Sequence, residues 1–329
     1  GGANLHRSRG FDDGFDAYKH SGQLARAQAW LEARRGHRFF LFFHTYAVHD
    51  PYLPAPEWQT AFVHGGAPRL LEAVARLRKD GGGWERAHRV FWESVTPSDA
   101  EDRRTLSALY DAAIRTMDER TLAPLLDRLD ALGVADETLV VLTSDHGEAF
   151  GEHGVYLHDD LYAGTLRVPL VLRFPGRVPA GRRVPDRVRL IDVMPTVLEL
   201  LGVPAPTGLQ GRSLVPFLRD GTAGLPAAPA VSEYSNSSIG RVFESIRAGD
   251  TAYIVDKGSE QLFDLRRDPG EEQNLAASGP PTLSALRGEL GRWREACRTL
   301  ADRFGPSGPG VAVDAETAAR LKALGYLGE

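Results

Sequence analysis

Cysteine is almost missing from this chain: there is one in 329 residues. A disulfide framework and an all-thiolate metal site are therefore excluded. No apolar run reaches the 18 residues of a membrane-spanning helix. There is no excess of positive charge either. Lys and Arg number 39 against 44 Asp and Glu, a formal net charge of -5, which argues against a nucleic-acid binder with a basic surface. Internal repeats are lacking. Gly1 to Asp16 is polar and has no signal-peptide core. Because the chain begins Gly-Gly rather than with Met, that lack says nothing about export.

What is present is ordinary for a globular chain: 42% hydrophobic and 25% charged residues, enough for a sizeable core. Arg38 to Tyr46 (RFFLFFHTY) is a continuous apolar run and reads as a buried strand of a parallel sheet. Residues 55–98 show no steady period and read as an excursion over the sheet edge, with Lys79 to Gly83 as a loop. Asp99 to Leu132 carries the strongest helical pattern, through Leu106, Leu109, Ala113, Met117, Leu122, Leu126 and Leu129. Asp99 fits its N-cap, Gly133 its stop, and Pro124 a kink or split. Thr138 to Thr143 and Val168 to Phe174 read as further strands, and Asp192 to Leu201 as a helix stopped by Gly202. Strands alternating with helices predict an α/β fold, a mostly parallel sheet sandwiched by helices. Beyond the Gly/Ala/Pro-rich stretch at Thr222 to Pro229, short β-prone pieces precede helices at Leu283 to Phe304 and Asp314 to Leu324. These predict a small antiparallel sheet with a helix packed on it. The division expected is a catalytic domain over 1–225 and a smaller α+β subdomain over 226–329.

In open α/β sheets, ligands bind beyond the carboxyl ends of the strands. Two predicted strands end in polar clusters there. One supplies His44 and then His49-Asp50-Pro51-Tyr52. The other supplies Asp145-His146-Gly147-Glu148, followed by His153 and His158. Five of the 10 histidines fall in these two stretches. A carboxylate and an imidazole on adjacent residues can meet one ion where the backbone turns sharply, and Gly147 eases such a turn. Spacing alone leaves a second reading equally open, with Asp145 as the cap of a following turn and His146 merely exposed.

At this point the chain resembles a family. Thr138 to Glu152 (TLVVLTSDHGEAFGE) is similar to the metal-binding strand end of the sulfatases, within the alkaline phosphatase superfamily. Phe39 to Tyr52 (FFLFFHTYAVHDPY) resembles the sulfatase strand that ends in a His followed by Pro. Leu157 to Pro169, Asp192 to Thr196, Leu209 to Leu214 and Leu262 to Leu275 (LFDLRRDPGEEQNL) resemble later family motifs, in family order. Together they are specific, while each alone is weak. The resemblance implies that Asp145 and His146 ligate one divalent cation. Calcium is the family's usual ion, with manganese, magnesium or zinc admitted by the imidazole. It implies that His49 contacts the ester and helps protonate the leaving oxygen, and that His158 binds sulfate oxygens. Glu148 would stand behind the metal pair, and His44 is a packed or supporting residue. The implied substrate is a small-molecule or carbohydrate sulfate ester, and the expected location is periplasmic or secreted.

The departures from the family pattern are equally specific. Sulfatases carry their nucleophile in a Cys/Ser-x-Pro-x-Arg motif, and the chain has none. Cys297-Arg298-Thr299 lacks the Pro and sits in a predicted helix, where Cys297 reads as a small buried hydrophobe. The family's first strand, with its pair of metal-binding Asp, is also absent. Phe11 to Asp16 (FDDGFD) resembles the segment that follows the nucleophile. The expectation is a sulfatase lacking its N-terminal nucleophile region, inactive as it stands. A phosphodiesterase or phosphonate monoester hydrolase of the same superfamily is the alternative. Thr45 stands where two-metal relatives place the Asp of Asp-x-x-x-His, which weakens a two-metal reading. A non-catalytic anion-binding module is the alternative from another class. Trp58, Trp84 and Trp92 are available to stack on a substrate, or to pack their own loop.

Overall fold

A computed structural model describes residues 10–19, 23–81, 83–219, 228–236 and 241–303. The expected terminal helix at 314–324 lies outside the described residues. In chain order the elements are α1 (Leu24–Ala33), α2 (Pro56–Phe62), α3 (Pro68–Asp80), α4 (Trp84–Glu93), α5 (Ala100–Met117) and α6 (Ala123–Ala131). Then come β1 (Val140–Thr143), β2 (Ala149–Phe150), β3 (Tyr156–Leu157), α7 (Ala163–Leu166), β4 (Leu170–Arg173), α8 (Val193–Leu201) and α9 (Val215–Arg219). The last are β5 (Ala230–Asn236), β6 (Arg241–Ala248), β7 (Thr251–Asp256), β8 (Ser259–Asp264) and α10 (Pro281–Ala301). The described residues form two compact units. One holds those up to Ala135 together with Phe150–Leu157, the other Asp136–Ala149 and those from His158 onward.

The first unit is helical. Its core is Tyr52, Leu70, Val74, Leu77, Phe91, Leu106 and Leu109. The region 55–98, expected as an irregular excursion, is instead three helices. Leu70, Ala73, Val74 and Leu77 recur at helical spacing along α3 and are all buried, and Pro56 and Pro68 each open a helix in its first turn. The long expected helix begins as predicted, with Asp99 capping α5 through a 2.7 Å bond from the Glu101 N–H. It is then divided by a π-helical stretch, Asp118–Leu122. Pro124 lacks an N–H and its ring crowds the carbonyl four residues back, so a regular helix cannot run through it.

The strand expected over 38–46 does not form a ladder. The segment has no regular element, with Phe39, Leu41 and Phe43 half-buried and Phe40 and Phe42 68% and 58% exposed. A strand needs a neighbour to take its N–H and C=O groups, and none of the described residues pairs with this segment. The expected parallel arrangement is likewise not what β1 and β4 make. They pair with each other antiparallel, Val140 opposite Arg173 and Thr143 opposite Leu170. The chain between them folds back through β2, β3 and α7 instead of crossing over, so the two strands meet head to tail.

In the second unit, β5–β6–β7–β8 is an antiparallel meander, as the short β-prone pieces predict. The period of two sorts its faces. Ile246, Tyr253 and Leu262 pack on Leu283, Leu286 and Leu290 of α10. Phe243, Ala252, Ile254 and Phe263 face the other way, onto Leu161. Glu244 follows the first set and pairs with Arg294 of α10. Arg247 follows the second and reaches the chain around Leu161. Cys297 is half-buried on α10, not buried as expected, and Gln210 Nε2 lies 3.8 Å from its sulfur. Gly202, with φ of 70°, ends α8 in the left-handed conformation its sequence predicts.

Candidate functional site

Strand β1 ends at Thr143, and the next residues leave it as a tight loop. The Ser144 hydroxyl donates to the His146 carbonyl at 2.7 Å, and the His146 N–H reaches Asp145 Oδ1 at 3.2 Å. The Asp145 carboxylate is 69% exposed. His146 Nδ1 lies 2.7 Å from the Gly147 carbonyl. An imidazole nitrogen facing a carbonyl must carry the proton, which makes Nε2 the ring's lone-pair nitrogen. That atom lies 3.9 Å from Asp145 Oδ1. Two ligands on one ion at about 2.1 Å each can be at most about 4.2 Å apart, so the pair can share a cation at a wide angle.

Gly147 is required for space. Its φ is not in the left-handed region, so the turn argument made from sequence is not the operative one. A Cβ there would stand 2.1 Å from the Gly164 carbonyl oxygen. The Gly147 N–H also donates to the Thr165 carbonyl at 2.7 Å. The strand end and α7 are thus in backbone contact.

Glu148 and His158 complete this cluster. The imidazoles of His146 and His158 stack, with centroids 4.0 Å apart and planes 18° apart. His158 Nδ1 stands 3.7 Å from Glu148 Oε1, and the two side chains are 14% and 5% exposed. Among the described residues Glu148 Oε1 receives no hydrogen bond. A buried carboxylate oxygen of that kind is an electrostatic invitation to positive charge. This supports a cation beside the strand end, while among the described residues no group of three or more His, Cys, Asp and Glu forms a metal cage. Asp145 and His146 therefore fit as two ligands of an ion and not as its whole shell. His153 is exposed, with a φ of 54°, at the tip of the β2–β3 turn.

The segment carrying His158 is fastened by the meander sheet and by the loop that follows it. Arg247 Nη2 donates to the Leu161 carbonyl at 2.9 Å, and the Ala163 N–H donates to Glu271 Oε2 at 2.6 Å. Arg247 and Glu271 pair at 2.7 Å, 9% and 1% exposed. The two later motifs meet as well. Asp192, 1% exposed, accepts from the Arg212 N–H at 2.9 Å and from Arg189 Nη2 at 2.8 Å. The Thr196 hydroxyl accepts from the Leu214 N–H at 2.9 Å. Burial works to raise the Asp192 carboxyl, and the Arg189 and Arg212 donors overcome it and hold it below the usual range.

His49 and His44 belong to the first unit and have different neighbours. His49 Nδ1 lies 3.0 Å from both the carbonyl and Oδ1 of Asp50. Asp50 is 3% exposed. His88 Nδ1 approaches its Oδ2 at 2.5 Å, Trp92 Nε1 donates to the same oxygen at 3.0 Å, and Trp84 Nε1 donates to its carbonyl at 3.0 Å. Burial again opposes ionisation, yet the two imidazoles drive the Asp50 carboxyl far below its ordinary value. His44 packs edge-on to Tyr46 at 4.9 Å. Trp84 and Trp92 thus pack within their own unit, while Trp58 donates to Glu119 and lies under Arg115. Sequence reasoning passed over His88. Its signal was the spacing: Trp84, His88 and Trp92 recur every four residues and share one face of α4.

A family model described as Sulfatase matches residues 15–203, more than half of the chain. A second, described as N-sulphoglucosamine sulphohydrolase, C-terminal, matches residues 151–291. The chain is 30% identical over 209 residues to arylsulfatase K of Xenopus laevis, covering 60% of this chain and 38% of that protein. A solved putative sulfatase from Bacteroides fragilis superposes with a TM-score of 0.67 at 21% identity, over 83% of this chain and 57% of that one. The phosphonate monoester hydrolase of Agrobacterium radiobacter does so with a TM-score of 0.60 at 23% identity, over 92% and 68%. The chain thus spans little more than a third of the arylsulfatase K it matches.

Proposed function

Because the chain belongs to the sulfatase family of the alkaline phosphatase superfamily, we propose that it supplies a metal-binding strand end and proton-handling imidazoles for sulfate ester hydrolysis. Asp145 and His146 would hold one divalent cation, His158 would bind sulfate oxygens, and His49 would protonate the leaving oxygen. When bound, the cation offsets negative charge on the sulfate oxygens as the ester is attacked. The observation that carries this reading is the stack of His146 on His158 above the buried Glu148 carboxylate. Glu148 Oε1 stands 3.7 Å from His158 Nδ1 and faces that side of the ring, and a ring N–H is what a sulfate oxygen needs. His49 has its Nδ1 against Asp50, so its exchange with a leaving oxygen falls to Nε2. His44 supports the same stretch through Tyr46, whose ring lies 5.2 Å from His49. Family habit favours calcium, and the imidazole of His146 favours manganese or zinc. A small or carbohydrate sulfate ester is the proposed substrate, with 1–225 as the catalytic part and 226–329 as a smaller C-terminal part.

The second reading, a phosphonate monoester hydrolase or phosphodiesterase, is favoured by the imidazole in the metal pair. Side-by-side assays of the gene's full-length product on p-nitrophenyl sulfate, bis-p-nitrophenyl phosphate and a phenylphosphonate ester decide between them. The expected result is a kcat/KM for sulfate at least tenfold above the others, abolished in His146→Ala. Preference for the phosphonate overturns the sulfatase reading, and loss-free His146→Ala overturns the metal pair. The 329-residue chain alone carries no Cys/Ser-x-Pro-x-Arg motif and is expected to show no turnover.

A further inference from the structure

Asp50 is nearly sealed from solvent, with its side chain 2% exposed. A buried carboxylate is costly unless donors surround it. Here they come from two elements. His49 approaches from its own loop, and His88 and Trp92 from α4, with Trp84 on the adjoining carbonyl. The stacking of Trp84 on His88, with centroids 4.6 Å apart, keeps the helix face in order. Such an investment of donors in one acidic side chain exceeds what loop packing needs. An apolar residue would fill the same space without a buried charge.

We infer that Asp50 is a positioning residue for His49, and that His88 and the Trp92 indole keep its carboxylate fixed and ionised for that role. The carboxylate holds Nδ1 of His49 and stabilises the ring's protonated form. His88 shares the same carboxylate through its other oxygen, so the two imidazoles compete for one charge. Among the described residues, His49 and His88 stand against Asp50, and Tyr46 stands against the His49 ring. Coupling between charges is reciprocal: the pull of the His49 ring on the Asp50 carboxylate is returned by the carboxylate to that ring. The consequence for catalysis rests on the reading of His49 as the proton donor, whereas the coupling itself does not.

The test is NMR titration of the ring nitrogens of His49, by long-range proton–nitrogen correlation, in the 329-residue chain. Asp50→Asn keeps the shape and removes the charge. It is expected to lower the His49 titration midpoint by about one pH unit or more, the effect of losing an adjacent opposite charge. His88→Gln is expected to raise that midpoint, because Asp50 then serves one imidazole. A His49 midpoint unmoved in both variants overturns the inference, since a packing role predicts lower melting and no such shift. If Asp50→Asn does not fold, His88→Gln and Trp92→Phe decide alone: His49 must move in the first, and stasis in both overturns the inference. In the full-length enzyme, Asp50→Asn should lower kcat about 10- to 100-fold with KM nearly constant. A shifted midpoint with unchanged kcat would leave the coupling standing and remove His49 from the proton-transfer role.

Discussion

Replacing Gly147 by alanine tests the contact on which the candidate site is built. The added Cβ would lie 2.1 Å from the Gly164 oxygen, 3.2 Å from its carbonyl carbon and 3.3 Å from the Thr165 oxygen. All three are backbone atoms, so no side chain can swing aside. Overpacking of this kind costs about 1–3 kcal/mol. Pushing α7 away also stretches the 2.7 Å bond from Gly147 to Thr165, worth about 1 kcal/mol. Alanine gives back roughly 0.4–1 kcal/mol by stiffening the unfolded chain. The net is a loss of about 1–3 kcal/mol, or about 2–12 °C in melting temperature for a unit of this size. Gly164→Ala is the control. Its Cβ would meet only the Glu148 oxygen at 3.5 Å, an ordinary contact, and alanine suits the helix, so its melting temperature should hold or rise. Thermal melts followed by circular dichroism read both. The reasoning fails if Gly147→Ala melts with the wild type, or if Gly164→Ala falls as far.

Other perturbations have equally definite outcomes. Glu271→Gln leaves the Arg247 charge buried without its partner and should cost about 3–5 kcal/mol in chemical denaturation; the pair Glu271→Leu with Arg247→Met should lose clearly less, and an additive loss would refute the buried-pair argument. Asp99→Ala removes the cap of α5 and should destabilise by about 1 kcal/mol, visible as an earlier urea midpoint, while Asp99→Asn should not. The Asp192 carboxyl is held below its ordinary value, so its stabilisation is complete above the usual aspartate range and is lost as pH falls through the lowered value. Acid melts of Asp192→Asn should therefore show a shallower loss of stability below about pH 4 than the wild type, and parallel curves would refute the assignment.

What could be read from the sequence was what local chemistry decides. The Asp99 cap, the Gly202 stop and the alternation that sorts Ile246 from Arg247 are each set by neighbours a few residues away. Residues 55–98 were misread for a different reason. Leu70, Ala73, Val74 and Leu77 do have helical spacing, but Arg76, Arg78, Lys79 and Asp80 crowd between and beyond them, and the glycines from Gly81 onward blur where the helix stops. The run at 38–46 shows the opposite limit. Its composition is that of a buried strand, yet a strand is a property of two segments, and composition describes one. For the site, the residues with family-like spacing were legible, and Asp145, His146, Glu148 and His158 do lie together. The demand at Gly147 was not, because the obstacle is a carbonyl oxygen of Gly164, and no local rule connects the two. Nor was His88, whose partner Asp50 lies 38 residues earlier.

The clasp between Glu271 and the Ala163 N–H has a consequence for the order of events in synthesis. Its two halves are 108 residues apart in the chain. At about 5–20 residues per second, the ribosome releases the His158 segment roughly 5–20 s before the residue that fastens it. During that interval the strand end and its imidazoles exist without their anchor. A late part of the second unit thus completes the placement of a loop made long before, and a chain cut short ahead of Glu271 would carry every proposed metal ligand without the Glu271 half of that clasp.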